Sequence, residues 1–541
     1  MERIPIINKT MELSECRDRW FLDEKHGCWC LEDILYTPAA TTPKFQRLSI
    51  FVPKGLMNSD GTFTSEAKRT PVVFGNNAAG YMQMPHVWLD GPRCSAQQYI
   101  DHGFVYVTAG CRGRESRNAS GKLVKGPCTL VDLKTAIRFL RHNREVLPGD
   151  WNRIISVGTS AGGAMSALLA VSGDNENYLP YLKANGAFMD ESDAVFAAQI
   201  YCPIVDLEHA DIAYEWMFRA DKTSEDSPAG PGETMTPFKE ALSEILARRY
   251  VAYFNSLQLR HPKTNEVLSL SDDGRSGNGY DYLMALLNES ATKYLTRLEQ
   301  GKLPFKCSVE DYLSGNYMTK VPGPMPPMPS DLMAQNLTPG DMVCRPPKGA
   351  PVFPMEPQLV DVPGTAKDWL TWDGTGAKIS DLDAYVLNYR RRMKPCTSFD
   401  KLEMDSGENQ ALGTPENDYV HYVAEIAEAI AELRDTFPEE YAKYYEAYHS
   451  ASDGVALAER VRLLNPLSFI GTAEMSTQAK HYRIRVGTSD ADTSLSISMT
   501  LALKLINADC GSVDYALVWD QPHCEADYPG EVLEWIDLIC K

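Results

Sequence analysis

Hydrophobic positions along the chain fall into two regimes. Over the first 205 residues, short runs rich in Val, Ile and Phe alternate with amphipathic stretches. The runs Phe45–Val52, Pro71–Phe74, Phe104–Thr108, Arg153–Val157 and Val195–Cys202 read as buried strands. Between the third and the fourth, Leu133, Ala136, Ile137 and Leu140 recur at helical spacing, which predicts a helix from about Thr129 to Glu145. Thr129 followed by Asp132 resembles the start of a capping box. Strand–helix–strand order with buried strands implies a mostly parallel sheet flanked by helices.

Residues 206–465 break this pattern. They carry long helical stretches at Phe238–Phe254, Tyr280–Leu298 and Tyr419–Ser450. They also carry 12 of the 34 prolines, between Val321 and Pro363, a run best read as extended loop because proline cannot supply ladder hydrogen bonds. The first regime then resumes, with His481–Gly487 and Val513–Trp519 as strands and Leu495–Ile506 and Gly530–Cys540 as helices. Neither flank has enough strands to bury a sheet alone. The organisation expected is therefore one α/β core from residues 1–205 and 466–541, with residues 206–465 inserted as a lid domain that includes the Pro-rich segment 321–363. No internal repeat is present.

Composition narrows the possibilities. The 53 Lys and Arg against 73 Asp and Glu give a net charge of −20, which disfavours a nucleic-acid partner. No run of about 18 apolar residues suggests a membrane span. The N-terminal stretch lacks an apolar signal core, so the expected location is cytoplasmic. The 13 cysteines are scattered, with Cys28 and Cys30 the one close pair, and are expected to be free buried thiols. The sequence leaves the oligomeric state open.

The local chemistry is concentrated in Gly158-Thr-Ser160-Ala-Gly162-Gly163, set between the apolar run 153–157 and an apolar helix. That context marks a nucleophile elbow of the α/β-hydrolase fold. The turn needs small neighbours so that the backbone can close up behind a projecting hydroxyl. The amide of Ala161 then opens a helix and faces developing negative charge. A second oxyanion donor is expected from the loop Phe74-Gly-Asn-Asn-Ala-Ala-Gly-Tyr81, at Asn77 or Ala78.

A serine needs a general base, and in this fold the order along the chain is serine, acid, histidine. Only His481 and His523 follow residue 465. His481 opens a strand; His523 lies in Gln-Pro-His523-Cys beyond the last strand, at the edge where α/β folds bind ligands. The preceding strand ends in Gly487-Thr-Ser-Asp490-Ala-Asp492-Thr493. Asp490 is preferred to Asp492 because it leaves the turn first; Asp206, Asp520 and Asp527 are weaker candidates. Such a triad needs no metal or organic cofactor.

The motifs at 158–163 and 487–493 and the closing Gln-Pro-His523 resemble those of the bacterial tannases, a family of α/β-hydrolases acting on galloyl esters. The resemblance spans the core and reaches into the insertion at Met393-Lys394-Pro-Cys-Thr-Ser-Phe399-Asp400 and Ser406-Gly-Glu408-Asn-Gln410. It implies that Lys394, Glu408 and Asp492 contact the galloyl ring under the lid. Carboxylates can accept two of the three phenolic protons of gallate, and an ammonium can donate to a phenol oxygen. The implied ligand is a small aromatic ester. Two departures stand out. The Pro-rich segment has no counterpart in the family pattern. Cys524 follows the histidine, as in some fungal esterases that bridge it to a cysteine beside the serine, yet Thr159 and Ala161 flank Ser160. A feruloyl or other carboxylesterase on the same fold, or a binding homologue without catalysis, are the rival readings.

Overall fold

The computed structural model describes residues 12–541 except 59, 91–94, 119, 225–231, 304–306, 315–317, 322–357, 362–368, 451–454 and 473–474. Thirteen strands are found among them. The main sheet takes β1 (Phe21–Asp23), β2 (Cys28–Leu35), β3 (Arg47–Pro53), β4 (Pro71–Asn76), β5 (Val105–Ala109), β6 (Asp150–Thr159) and β7 (Ala197–Tyr201) from the first part of the chain. Two small hairpins follow, β8 (Met318–Val321) with β9 (Gln358–Asp361) and β10 (Leu370–Trp372) with β11 (Ala377–Ile379). The sheet is completed by β12 (His481–Gly487) and β13 (Ser512–Val518).

Its nine strands run in the order β1-β2-β3-β5-β4-β6-β7-β12-β13. From β5 onward every pairing is parallel; the first three strands join antiparallel at one edge. The parallel strands are covered on both sides, and successive residues divide between the faces as the two-residue period of a strand requires. Val72, Phe74 and Ile154 enter one apolar cluster, and Val73 and Ile155 enter the other. Helices α1 (Ala96–Asp101), α2 (Cys128–His142), α3 (Ala161–Val171) and the closing helix Glu531–Ile539 pack on these faces.

Beyond Tyr201 the chain leaves the sheet and returns at His481, directly beside the strand it left: Ala197 pairs with His481 and Tyr201 with Arg485. The excursion contains, after the short α4 (Leu179–Ala184) that precedes it in the chain, the helices α5 (Leu207–Phe218), α6 (Pro237–Ser256) and α7 (Asn278–Glu299). Thr236 caps α6 by accepting the Lys239 amide, with Pro237 in the first helical position. The Pro-rich segment 321–363 lies mostly outside the described residues, which include only Val321 and 358–361 of it.

Three local expectations are corrected. The stretch Tyr419–Ser450 forms two helices, Ala424–Glu432 and Pro438–Ser450, because Pro438 starts a new helix rather than continuing the old one. Helix α2 begins at Cys128 without a side-chain cap. Thr129 instead donates to the Arg112 carbonyl, and Asp132 binds the Arg112 guanidinium at 2.7 Å, so no capping box forms. Finally, β1 and β2 were not expected as strands. In β2 the register against β3 shifts between Leu31 and Ile34, and Asp33 sits at φ 65°, which breaks the alternation a half-buried strand should show. The described cysteines are free thiols, most of them buried.

Candidate active site

Four adjacent strands end at one rim of the sheet, and each hands one residue to it. Ser160 follows β6, Cys202 follows β7, Asp490 lies in the turn after β12, and His523 lies in the loop after β13. The parallel pairing aligns these ends, with Thr159 opposite Tyr201, Tyr201 opposite Arg485, and Gly487 opposite Val518.

Ser160 adopts φ 64° and ψ −127°, a backbone that a residue with a Cβ rarely takes. The turn is held by hydrogen bonds from its own amide to the Tyr201 carbonyl at 3.1 Å and from the Ile204 amide to its carbonyl at 3.3 Å. The positions two before and three after it have no room for a side chain. A Cβ on Gly158 would lie 2.3 Å from the Gly162 carbonyl oxygen, and one on Gly163 would lie 2.5 Å from that of Tyr201. The Asn76 side chain ties the elbow to the neighbouring loop, donating to the carbonyls of Val157 and Gly162 and to the Ser166 hydroxyl. That loop brings the Ala78 amide within 3.6 Å of the space beside Gly162. Among the described residues, no protein acceptor takes the N–H of Ala161 or Ala78.

His523 Nδ1 lies 2.8 Å from Asp490 Oδ2 and 3.7 Å from Asp492 Oδ2. Asp490 is fully buried, and its other oxygen accepts the Asp492 amide at 2.9 Å. Burial alone would raise its pKa, but the imidazole beside it, with Arg390 behind, holds it at about 2. For His523 burial works downward; the carboxylates of Asp490 and Asp492 overcome it and set the imidazole well above its usual 6.5.

The insertion contributes the remaining candidates. Lys394 Nζ lies 3.6 Å from Asp492 Oδ1 and 3.9 Å from the centre of the Phe399 ring. Glu408 sits in the first turn of the helix Gly407–Ala411; burial pushes the Tyr81 phenol up, and the Glu408 carboxylate adds to it. The structure thus joins Lys394, Asp492, His523 and Asp490 into one chain of contacts. Glu408 is brought to the loop that holds Asn77 and Ala78.

The alternative acids are occupied elsewhere. Asp206 accepts from His209, Tyr253 and Asn465. Asp520 accepts from Tyr294, and Asp527 from Arg483 and Tyr201. His481 contacts Ser512 at the far end of its strand. Cys202 was missed in the sequence, although its place one residue past a buried strand pointed to this rim. Its thiol donates to the Pro522 carbonyl at 4.0 Å and lies within 4.8 Å of the His523 ring. Cys202, Asp490 and His523 offer ligand atoms within 4.8 Å of one another, the one grouping among the described residues compact enough for a metal ion. Two of these three residues, Asp490 and His523, are hydrogen-bonded to each other.

A serine on a strained strand-to-helix bend, at the same rim of a parallel sheet as a carboxylate–imidazole pair, defines an α/β-hydrolase. The BD-FAE family model matches residues 88–224. No curated protein sequence gives a match. Among solved structures, a tannin acyl hydrolase from Lactobacillus plantarum is similar at a TM-score of 0.72 and 30% identity, covering 95% of this chain and 94% of its own. A tannase from Fusobacterium nucleatum is similar at a TM-score of 0.71 and 28% identity, with 95% of both chains covered. A tannin acyl hydrolase in complex with ethyl gallate gives a TM-score of 0.71 and 30% identity over 95% of this chain and 94% of its own. The chain belongs to the bacterial tannase family, and it is a carboxylic ester hydrolase. No helix among the described residues is long and apolar enough to cross a membrane.

Proposed function

We propose that this enzyme hydrolyses galloyl esters by acyl transfer through Ser160, His523 and Asp490. The observation that carries the reading is the 2.8 Å bond between His523 and a buried carboxylate, at the rim where Ser160 sits on its strained bend. The imidazole removes the Ser160 proton as the oxygen attacks the ester carbonyl. The amides of Ala161 and of Asn77 or Ala78 hold the oxyanion. The imidazolium, stabilised by Asp490, protonates the departing alcohol. Water, deprotonated by His523, then releases the acid and restores Ser160.

Lys394, Glu408 and Asp492 are assigned to the acyl ring, with residues 206–465 as the lid above it. A relative has been captured with ethyl gallate, which supports a trihydroxylated ring as the acyl group. A site that hydrogen-bonds several ring hydroxyls rejects rings that lack them, because its own buried polar groups would go unpaired. Ser160→Ala should abolish methyl gallate turnover while leaving the circular dichroism spectrum unchanged; full activity in that variant would refute the assignment. Parallel assays on methyl gallate and methyl ferulate test the ring, and a preference for ferulate would remove the roles given to Glu408 and Asp492.

A further inference from the structure

Helix α5 presents Asp211, Tyr214 and Glu215 three and four residues apart, hence on one side. All three are fully buried. Each grips the segment 390–400, which carries Lys394. Glu215 binds the Arg392 guanidinium at 2.5 Å. Asp211 accepts the amides of Ser398 at 2.6 Å and of Phe399 and Asp400 at 2.9 Å.

Tyr214 makes the most telling contacts. Its hydroxyl accepts the amides of Met393 at 3.1 Å and Lys394 at 3.0 Å, and donates to the Ala491 carbonyl at 3.0 Å. A phenol has one proton to give and two lone pairs to fill, so its capacity is used completely. Ala491 stands between Asp490 and Asp492. One oxygen atom therefore joins the backbone of the lysine to the backbone of the acidic turn. The side chains meet as a result, with Lys394 Nζ 3.6 Å from Asp492. Asp211 acts as a second pin, since the Phe399 amide it holds places a ring beneath the lysine ammonium.

We propose that Tyr214, with Asp211 as its second pin, is a positioning residue that fixes Lys394 against Asp492 and so sets selectivity for acyl rings with adjacent hydroxyls. This rests on the galloyl reading above. Asp490 is held by His523 through a contact that does not involve Tyr214. Loss of the phenol should therefore disturb ring recognition and leave acyl transfer itself in place.

The test compares Tyr214→Phe with the unmodified enzyme on methyl gallate and on 4-nitrophenyl benzoate, whose ring has no hydroxyls. The expected result is a fall of about tenfold or more in kcat/KM for methyl gallate, mainly through KM, with the benzoate changed by less than about twofold. Combined with Lys394→Met, Tyr214→Phe should add little further loss on gallate, since both act through one contact. Asp211→Asn, which keeps the shape and weakens the second pin, should shift the gallate-to-benzoate ratio the same way. It serves as the deciding variant if Tyr214→Phe does not fold. Equal losses on both esters would mean a general structural role and overturn the proposal, as would an unchanged ratio. An unmodified enzyme that hydrolyses the benzoate and not methyl gallate would overturn the galloyl reading and this proposal together. Gallate turnover with an unaltered Tyr214→Phe ratio would overturn this proposal alone.

Discussion

The imidazole of His523 faces two carboxylates, 2.8 Å and 3.7 Å from its Nδ1. In the proposed role of general base it must be neutral to take the Ser160 proton. Both carboxylates stabilise its protonated form, so its pKa lies above 6.5. The sign follows directly: kcat/KM should climb with pH along a limb whose midpoint is above 6.5. Asp492→Asn removes one of the two negative charges and should move that midpoint down, read most cleanly with 4-nitrophenyl benzoate. A midpoint at or below 6.5, or one that Asp492→Asn leaves in place, would contradict the arrangement. Asp490 behaves differently. Its pKa falls to about 2 on folding, so its contribution to stability is complete above its unfolded value and is lost only as pH drops through about 2. Loss of activity between neutral pH and pH 5 therefore belongs to His523 and not to the carboxylate. At this scale the sharp bend at Ser160 was legible, because such a bend is written in its near neighbours. The two jobs of Asp492, facing His523 with one oxygen and Lys394 with the other, could not be read there. Both partners come from distant parts of the chain.

Among the elements, the β6–α3 junction shows how closely packing constrains Ser160, the proposed nucleophile. Every residue of α3 is buried, and the helix starts against the end of β7. Gly163→Ala would set a methyl 2.5 Å from the Tyr201 carbonyl oxygen and force helix and strand apart. Overpacking of this kind costs about 1–3 kcal/mol, so a lower melting temperature is expected together with at least a tenfold loss of kcat. A variant with unchanged melting and turnover would show that the junction has slack. Element type was legible wherever one period ran unbroken, as in α6 and α7. It was not legible where geometry interrupts the period. The bulge in β2 disguises a strand, and Pro438 divides a stretch whose apolar spacing runs on across the break. The polar side chains at the start of α2 imitate a cap because their types fit one. Arg112, far enough away to be invisible to local pattern, claims them instead.

For the molecule as a whole, the excursion between β7 and β12 is held together by buried charge and is joined to the core by Arg390, whose guanidinium donates to the Thr493 carbonyl at 2.6 Å. Arg392 and Glu215 are both at most 1% exposed in their side chains and 2.5 Å apart. Removing one partner of such a pair leaves the other uncompensated, typically at a cost of about 3–5 kcal/mol. Glu215→Ala should therefore lower the thermal transition of the entire chain and not merely loosen the 390–400 segment, which calorimetry can distinguish. Two separated transitions, with the upper one unmoved, would show the excursion to be independently stable. The alternation of strands and helices and the sharp bend at Ser160 were determined by sequence alone, because each depends on neighbours within a few residues or on simple succession. Tertiary structure alone decided that β7 and β12 lie side by side, that Cys202 lies near His523, and that Tyr214 binds Lys394 to the acidic turn. Those contacts join residues separated by up to several hundred positions. Which distant groups meet is settled by how the whole chain packs, a quantity that no local period or motif encodes.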